Sequence, residues 1–276
     1  MAVFFILLTL NFKPVAEKNL IYKLDHLAFA TNDFHKQIQY FEKLGFSPVF
    51  VENNAINMPD TKRIMYEFSP NFNFSLLSSE KNAGIEILDY GHVGPVKKQL
   101  FFPVFENLPD RFMRKTRAQD LNLDEMTLIE KIWDGNNNMF FYELRTERPD
   151  FRFNKIILLT GDLARSISFY IYLRFRILTQ QENWAKLQFN SLLHKNPTFL
   201  YLVQSDIQPQ PVQLDSGTFQ KMAFLSNSLE KDKQLLESKG VATTPINPLQ
   251  ANQKQLSIFF AHGPSGELLE FVSLER

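Results

Sequence analysis

The chain has 276 residues, which exceeds one typical domain and is enough for two domains with cores of their own. Lysine plus arginine and aspartate plus glutamate both total 30, so the formal net charge is zero and the basic surface of a nucleic-acid-binding protein is not expected. The absence of cysteine excludes disulfides, zinc–thiolate sites and thiol nucleophiles. A small molecule or a protein is the expected partner, and any metal must be held by His, carboxylate or carbonyl ligands.

Residues 1–21 form an N-terminal extension with an apolar run at 3–10. The run is too short to span a bilayer, and no basic residue precedes it as a secretory signal requires. We therefore predict an extra strand or an overlong start in a cytoplasmic protein, with export through the apolar N-terminus as the alternative. No other segment is expected to enter a membrane.

The first unit, from residue 24 to 78, has a β-α-β-β-β pattern. Leu24–Ala30 alternates as a strand, which places His26 on the same face as Ala28 and Ala30. Asn32 and Asp33 can cap the following helix, which Gly45 ends. Three further strands are predicted at Phe46–Val51, Arg63–Phe68 and Phe72–Ser78.

The second unit, about Gly84 to Arg145, is less regular. Its last two strands are predicted at Met126–Ile132 and Met139–Leu144, on either side of an Asn-rich turn. Its first strand has no secure place, and the segment Pro95–Asp120 is expected to be helical in parts. The polar segment 146–150 contains proline and is predicted to link the two halves.

The third unit repeats the first at a constant offset of 129 residues, as between Asp33 and Asp162. A fourth unit has the same pattern. The repeat predicts two halves, 22–149 and 150–276, with the same backbone. The predicted strands and helices of these units are Asn154–Thr160, Asp162–Leu173, Phe175–Thr179, Ala185–Phe189, Thr198–Val203, Phe219–Leu225, Leu229–Ser238, Leu256–Ala261 and Leu268–Val272.

Units that open with the sequence LDHLAF at 24–29 and close with GPSGELLEFV at 263–272 resemble the vicinal oxygen chelate superfamily. This superfamily includes glyoxalase I, extradiol ring-cleaving dioxygenases and bleomycin-resistance proteins. The resemblance implies an α+β fold in which tandem β-α-β-β-β units pair into two cup-shaped mixed-sheet barrels. It assigns one barrel to 22–149 and the other to 150–276, and it places metal ligands on the first and last strands of the units.

Carried over to this sequence, the resemblance implies a metal held by His26, His92 and Glu143. His26 is in the first strand, Glu143 is in the last-strand position, and His92 is the best candidate at the start of the second unit. Glu86 is the alternative to His92.

The matching positions of the second half favour His92, because it follows His26 at the same spacing as Lys221 follows Lys155. These lysines replace both histidines and leave only Glu270, and protonated amines repel a cation. We therefore expect the second half to lack a metal. A buried polar cluster of Lys155, Lys221 and Glu270 is a competing interpretation.

Two imidazoles and a carboxylate form a triad that suits Fe(II), although Zn, Mn or Ni can use it too. The first hypothesis is therefore a ring-cleaving (extradiol) dioxygenase acting on a small aromatic substrate. The alternatives are a glyoxalase-like lyase or isomerase, and a metal-free binding protein of the resistance type for an aromatic or amphiphilic compound. Tyr66, Tyr90 and Tyr142 are weak candidates for a hydroxyl that contacts substrate, and a homodimer is a candidate assembly.

Overall fold

The computed structural model describes residues 21–78, 83–95, 99–107, 116–123, 126–132, 139–146, 152–190, 197–219 and 221–274. These residues form two eight-stranded mixed sheets, three α-helices and one short 3₁₀ helix. Among the described helices, none has the length and apolar character needed to cross a membrane.

The first sheet is built from the beginning and the end of the described chain. Its strands are β1 (Ile21–Ala30), β2 (Ser47–Ile56), β3 (Asn71–Ser78), β4 (Gly84–Asp89), β13 (Lys221–Ser226), β14 (Asn247–Ala251), β15 (Lys254–His262) and β16 (Leu268–Leu274). Their order in the sheet is β14-β15-β16-β13-β1-β4-β3-β2, and the edge strands β14 and β2 contact each other, which nearly closes a barrel.

The second sheet is built from the middle of the chain. Its strands are β5 (Phe101–Glu106), β6 (Thr116–Leu123), β7 (Met126–Ile132), β8 (Phe140–Leu144), β9 (Arg152–Thr160), β10 (Arg176–Gln180), β11 (Trp184–Phe189) and β12 (Thr198–Gln204). Their order in the sheet is β10-β11-β12-β9-β5-β8-β7-β6.

The predicted fold class, tandem units paired into two cup-shaped mixed sheets, is confirmed. The predicted choice of partners is wrong. The first unit pairs with the fourth through antiparallel β1 and β13, and the second pairs with the third through antiparallel β5 and β9. A repeat reveals which units have similar backbones, but it carries no information on which of them become neighbours in a sheet.

The helices α1 (Phe34–Lys43), α2 (Leu163–Tyr172) and α3 (Leu229–Ser238) lie where the sequence predicts them. Their buried residues join one apolar core with residues of both sheets. Within this core Phe46, which follows α1, lies 6.4 Å from the Phe153 ring of β9. The phenylalanine-rich composition therefore packs the layer between the sheets.

The predicted strand Arg63–Phe68 is wrong. A 3₁₀ helix covers Pro59–Ile64 instead, with proline at its start, where a missing N–H costs nothing. The Thr61 hydroxyl bonds back to the Met58 carbonyl at 2.6 Å and stabilises this turn. The last strand of the first unit is consequently β4, whereas the sequence pattern predicts that the second unit begins at about Gly84.

Two other expectations fall partly outside the described residues. Within Pro95–Asp120, the described segments 101–106 and 116–120 are strands rather than helix, and 108–115 are not described. The N-terminal extension up to residue 20 and the linker from 147 to 150 also lie outside the described residues. The division of the chain at 149/150 stays a prediction about the duplication.

Candidate functional site

Four ionisable side chains meet at the centre of the first sheet. His26 is on β1, Glu86 on β4, Lys221 on β13 and Glu270 on β16, and these are the four adjacent central strands. Glu86 and Lys221 both lie opposite Ala28 of β1, and His26 and Glu270 both lie opposite Ala223 of β13, so the four side chains occupy two adjacent levels of the sheet. We call these four residues the central cluster. Each of them is no more than 6% exposed.

The central cluster faces the interior of the first sheet, which we call the first cup. Since side chains alternate along a strand, His26 lies on the face of Ala28 and Ala30, and Glu86 lies on the face of Leu88. The surrounding buried side chains are apolar: Ala28, Ala30, Met58, Ile64, Met65, Phe72, Phe74, Leu88, Tyr90, Leu214, Ala251, Ile258, Phe260, Leu268 and Val272.

The imidazole of His26 lies between three carboxylates. Its Nε2 atom is 3.4 Å from Oε2 of Glu86 and 3.6 Å from Oε2 of Glu270. Its Nδ1 atom is 2.9 Å from Oδ2 of Asp25, which fixes the orientation of the ring. Burial lowers the pKa of His26, but the Glu86 carboxylate and the bonds to these acids outweigh burial and raise it well above 6.5.

Lys221 completes the central cluster as an ammonium group. Its Nζ atom is 2.5 Å from Oε2 of Glu86 and 2.6 Å from Oε2 of Glu270. Burial opposes the charge, yet the two carboxylates raise the Lys221 pKa above 10.5. Burial likewise raises the pKa of Glu86, and Lys221 and His26 overcome this and lower it to about 2. The pKa shifts of His26, Lys221 and Glu86 favour the charged form of each group.

His26, Glu86 and Glu270 form a candidate metal site by ligand type and spacing. One ligand atom from each lies within 4.8 Å of the others, and imidazole with two carboxylates suits a divalent transition metal. The glutamate oxygens that would face the ion are the Oε2 atoms that Lys221 already contacts. Two unit charges 4 Å apart repel by about 4 kcal/mol at an effective dielectric constant of about 20, and a divalent ion doubles this. The donors fit a metal, but the charged lysine among them does not.

The first cup has almost no free space beside the central cluster. The cavity there measures about 20 Å³, which holds about one water molecule. Tyr90, a predicted substrate contact, is 4% exposed and stacks on Phe72 with ring centroids 5.2 Å apart. The cup therefore resembles a packed core more than a binding pocket.

The carboxylate of Asp215 holds residues 66 and 67, in the segment that covers the first cup. Asp215 is fully buried and accepts hydrogen bonds from the backbone N–H of Tyr66 at 3.0 Å and of Glu67 at 3.1 Å. It also lies 3.1 Å from Nε2 of His92. His92, which the sequence predicts to be a metal ligand, lies in the loop after β4 and is a partner of Asp215.

The second sheet has no carboxylate or histidine at the positions that match the central cluster. The offset of 129 residues matches Lys155 to His26, and Ile157 to Ala28. Ile157 lies opposite Tyr201 and Phe102, which therefore correspond to Glu86 and Lys221. In the first sheet Glu270 lies opposite Ala223. Val104 holds the place of Ala223 in the second sheet and lies opposite Tyr142, so Tyr142 corresponds to Glu270.

Glu143 does not join His26, because the two residues belong to different sheets. The register gives the last-strand position to Tyr142, and the next residue along a strand points to the opposite face. Glu143 is 1% exposed and pairs there with Lys131, whose Nζ atom lies 3.2 Å from its Oε2. The predicted triad of His26, His92 and Glu143 is therefore not assembled, whereas the alternative Glu86 lies beside His26.

The inner face of the second sheet, which we call the second cup, is filled by a buried apolar cluster, and a cavity of about 840 Å³ opens at its mouth, where β8 ends and β9 begins. Ligand pockets commonly measure about 300–1,000 Å³. Lys155 lines it and forms an ion pair with Glu106. Tyr142, a predicted substrate contact, belongs to the apolar cluster of this cup. The cavity is lined by Glu106, Met126, Thr127, Ile129, Leu144, Arg145, Thr146, Arg152, Asn154, Lys155 and Phe199.

Sequence reasoning placed Lys221 and Glu270 at ligand positions but in a separate, empty site. The missing information was the pairing of the first and fourth units, which only the tertiary structure gives. Tyr66, the remaining predicted substrate contact, is 36% exposed at the rim of the first cup.

No protein-family model and no curated protein matches the sequence. Solved structures do match the fold. A candidate dioxygenase from Bacillus subtilis subsp. subtilis strain 168 is 11% identical, with a TM-score of 0.64 over 92% of this chain and 86% of its own. Glyoxalase I from Zea mays is 15% identical, with a TM-score of 0.62 over 91% of this chain and 92% of its own. At these identities the likeness is one of fold, and this chain has the fold that glyoxalase I and the Bacillus subtilis protein share.

Proposed function

We propose that this protein binds a small, partly apolar organic anion in the second cup, without a metal. The observation that carries the proposal is the contrast between the cups. The first has a cavity of only about 20 Å³ beside its central cluster, whereas a cavity of about 840 Å³ opens at the mouth of the second. The binding function is the metal-free alternative among the three that the sequence leaves open.

The lining of the second cup determines the class of ligand. Arg145, Arg152 and Lys155 place three cations on its wall. Lys155 is paired with Glu106, and Nε of Arg145 lies 3.4 Å from Oε1 of Glu143. Met126, Ile129, Leu144 and Phe199 add an apolar surface. A cationic rim over an apolar wall favours an aromatic or aliphatic carboxylate, because the charged end is recognised by cations and the remainder leaves water.

Other functions have less support. The dioxygenase hypothesis rested on His26, His92 and Glu143, which do not lie together. A glyoxalase-like enzyme is favoured by the spacing of His26, Glu86 and Glu270, and is opposed by the ammonium of Lys221. A cytoplasmic location and a homodimer stay predictions.

The binding proposal is tested with 2-naphthoate and its uncharged counterpart 2-naphthol, by calorimetry and by NMR of labelled protein. We expect naphthoate to bind more tightly and to shift resonances of Phe199 and Lys155. Replacing Lys155→Gln should weaken naphthoate by about 10-fold, which is about 1.4 kcal/mol, and leave naphthol unchanged. Lys36→Gln, on an exposed lysine of α1, is the matched control. Equal binding of both compounds, or shifts confined to the first cup, would refute the proposal.

A further inference from the structure

We infer that the ammonium of Lys221 is a built-in replacement for a metal ion at the centre of the first sheet. This inference concerns the first cup and is independent of ligand binding in the second. It predicts that the protein binds no divalent metal at His26, Glu86 and Glu270 as long as Lys221 is present.

The first support is geometric. The Nζ atom of Lys221 contacts one oxygen of Glu86 and one of Glu270 at 2.5 and 2.6 Å. Both oxygens also lie within 3.6 Å of Nε2 of His26, so these three atoms surround the position that an ion would need. Lysine directs its N–H donors at two of these three atoms, and N–H donors match carboxylate acceptors.

The second support is the charge balance. A divalent ion beside two carboxylates and a neutral imidazole gives a neutral site. The same two carboxylates are already paired here with the ammonium of Lys221, so a divalent ion would have to share them with a cation that is present beforehand. Buried ion clusters are stable only when their charges are paired in this way.

The third support is confinement. Lys221 is 5% exposed, and its Nζ atom lies 5.8 Å from the centre of the Phe260 ring. The neighbouring cavity of about 20 Å³ is too small for the ammonium to move away with its water. An incoming ion would therefore have to displace a charge that has no other position in the cup.

The second sheet provides an internal comparison. At the matching positions it has Tyr142 and Tyr201 in place of the glutamates, and there Phe102 stands in place of Lys221. The lysine thus occurs in the sheet that has the carboxylates, and an apolar ring occurs in the sheet that lacks them. This is the pattern expected if Lys221 is present to neutralise Glu86 and Glu270.

The test compares metal binding by the full chain and by variants that remove the charge but keep a donor. Protein treated with chelator is dialysed against Zn²⁺, Mn²⁺, Ni²⁺ or Co²⁺, bound metal is measured by mass spectrometry, and Co²⁺ is followed by its visible absorption. We expect wild type to retain only trace metal. Lys221→His should bind about one equivalent, with the absorption of a protein-bound cobalt site. The double variant Lys221→His with Glu86→Gln should lose the ion again.

Lys221→Gln is the second variant, because its amide can still donate to the glutamates if histidine does not fit. Circular dichroism decides which variants are folded. Two results would overturn the inference. One is that wild type binds a stoichiometric amount of metal and Glu270→Gln abolishes this binding. The other is that Lys221→His and Lys221→Gln both fold and neither binds metal. If neither variant folds, the wild-type measurement alone decides. Naphthoate binding by the second cup is a separate result and can fail or succeed without affecting this one.

Discussion

The hydroxyl of Tyr170 in α2 donates a 2.8 Å hydrogen bond to Oε1 of Glu267, a fully buried residue just before β16. The helix belongs to the third unit and the strand to the fourth, so the bond joins elements of the two sheets. The backbone N–H of Ser265 donates to the other oxygen of Glu267 at 2.8 Å. Burial raises the pKa of this carboxyl above 4.5 in spite of these donors.

Tyr170→Phe should therefore destabilise the protein. The variant keeps the ring but leaves a buried carboxyl oxygen without its hydroxyl donor, which costs about 1–3 kcal/mol of unfolding free energy. Urea denaturation measures the change. Tyr172→Phe, on an exposed tyrosine of the same helix, is the control and should change stability by less than about 0.5 kcal/mol. Equal effects of the two variants would contradict the assigned role of Glu267.

Asp215→Ala should loosen the segment that covers the first cup. It removes the acceptor of the Tyr66 and Glu67 amides, and we expect a loss of about 3 kcal/mol of unfolding free energy. Hydrogen exchange of those two amides should accelerate more than exchange in the second sheet. The control is Asp206→Ala, at an exposed acid between β12 and β13. Unchanged hydrogen exchange of the Tyr66 and Glu67 amides would contradict the role of Asp215 in holding this segment.

Asp232 should make stability depend on pH. Burial raises its pKa to about 6, although the Ser226 hydroxyl and Arg174 act in the opposite direction. A raised carboxyl pKa favours the protonated folded form, so this contribution to stability is present below the unfolded value of 3.8 and is lost as pH rises through about 6.

Asp232→Asn cannot ionise and should escape this loss. The free energy of unfolding of the variant relative to wild type is expected to increase by about 3 kcal/mol between about pH 4 and pH 7. Denaturation at a series of pH values measures it. A difference that stays constant with pH would show that the Asp232 pKa is not raised.

Two glycines should respond differently to alanine. A Cβ atom on Gly161 would lie 2.2 Å from the backbone oxygen of Ile207, so Gly161→Ala must move the main chain and should cost about 3 kcal/mol. Gly45 ends α1 at φ +94° with open space around it, so Gly45→Ala should cost only the conformational penalty of about 1–2 kcal/mol. Thermal unfolding compares the two, and a larger loss at Gly45 would be the contrary result.

Local patterns predicted the parts of the fold that depend on neighbouring residues. Alternation placed His26 on the inner face of β1, and capping and helical spacing located α1 and α2. The prediction of Glu143 failed because β8 belongs to the second sheet and β1 to the first, and even in the second sheet the register with β5 gives the last-strand position to Tyr142. A one-residue change exchanges the faces, and the partner strand that sets the register lies far away in the sequence.

The central cluster could be predicted only in part for a similar reason. Glu86 is only the alternative to His92 in the sequence, because the spacing of His26 and His92 matches that of Lys155 and Lys221. The 3₁₀ turn that begins at Pro59 makes Gly84–Asp89 the last strand of the first unit and brings Glu86 beside His26. Lys221 and Glu270 were recognised at ligand positions. Their proximity to His26 depends on the pairing of the first and fourth units, which the repeat does not predict.

The nesting of the units has a consequence for the order of assembly during synthesis. All strands of the second sheet lie between residues 101 and 204, so that sheet can form while the ribosome is still adding the fourth unit. The first sheet must wait, with the edge of β1 unpaired, until β13 and β16 emerge. An unpaired strand edge invites association with other chains. A chain released after residue 150 would contain four strands of each sheet and complete neither, so the duplicated halves are not independent folding units.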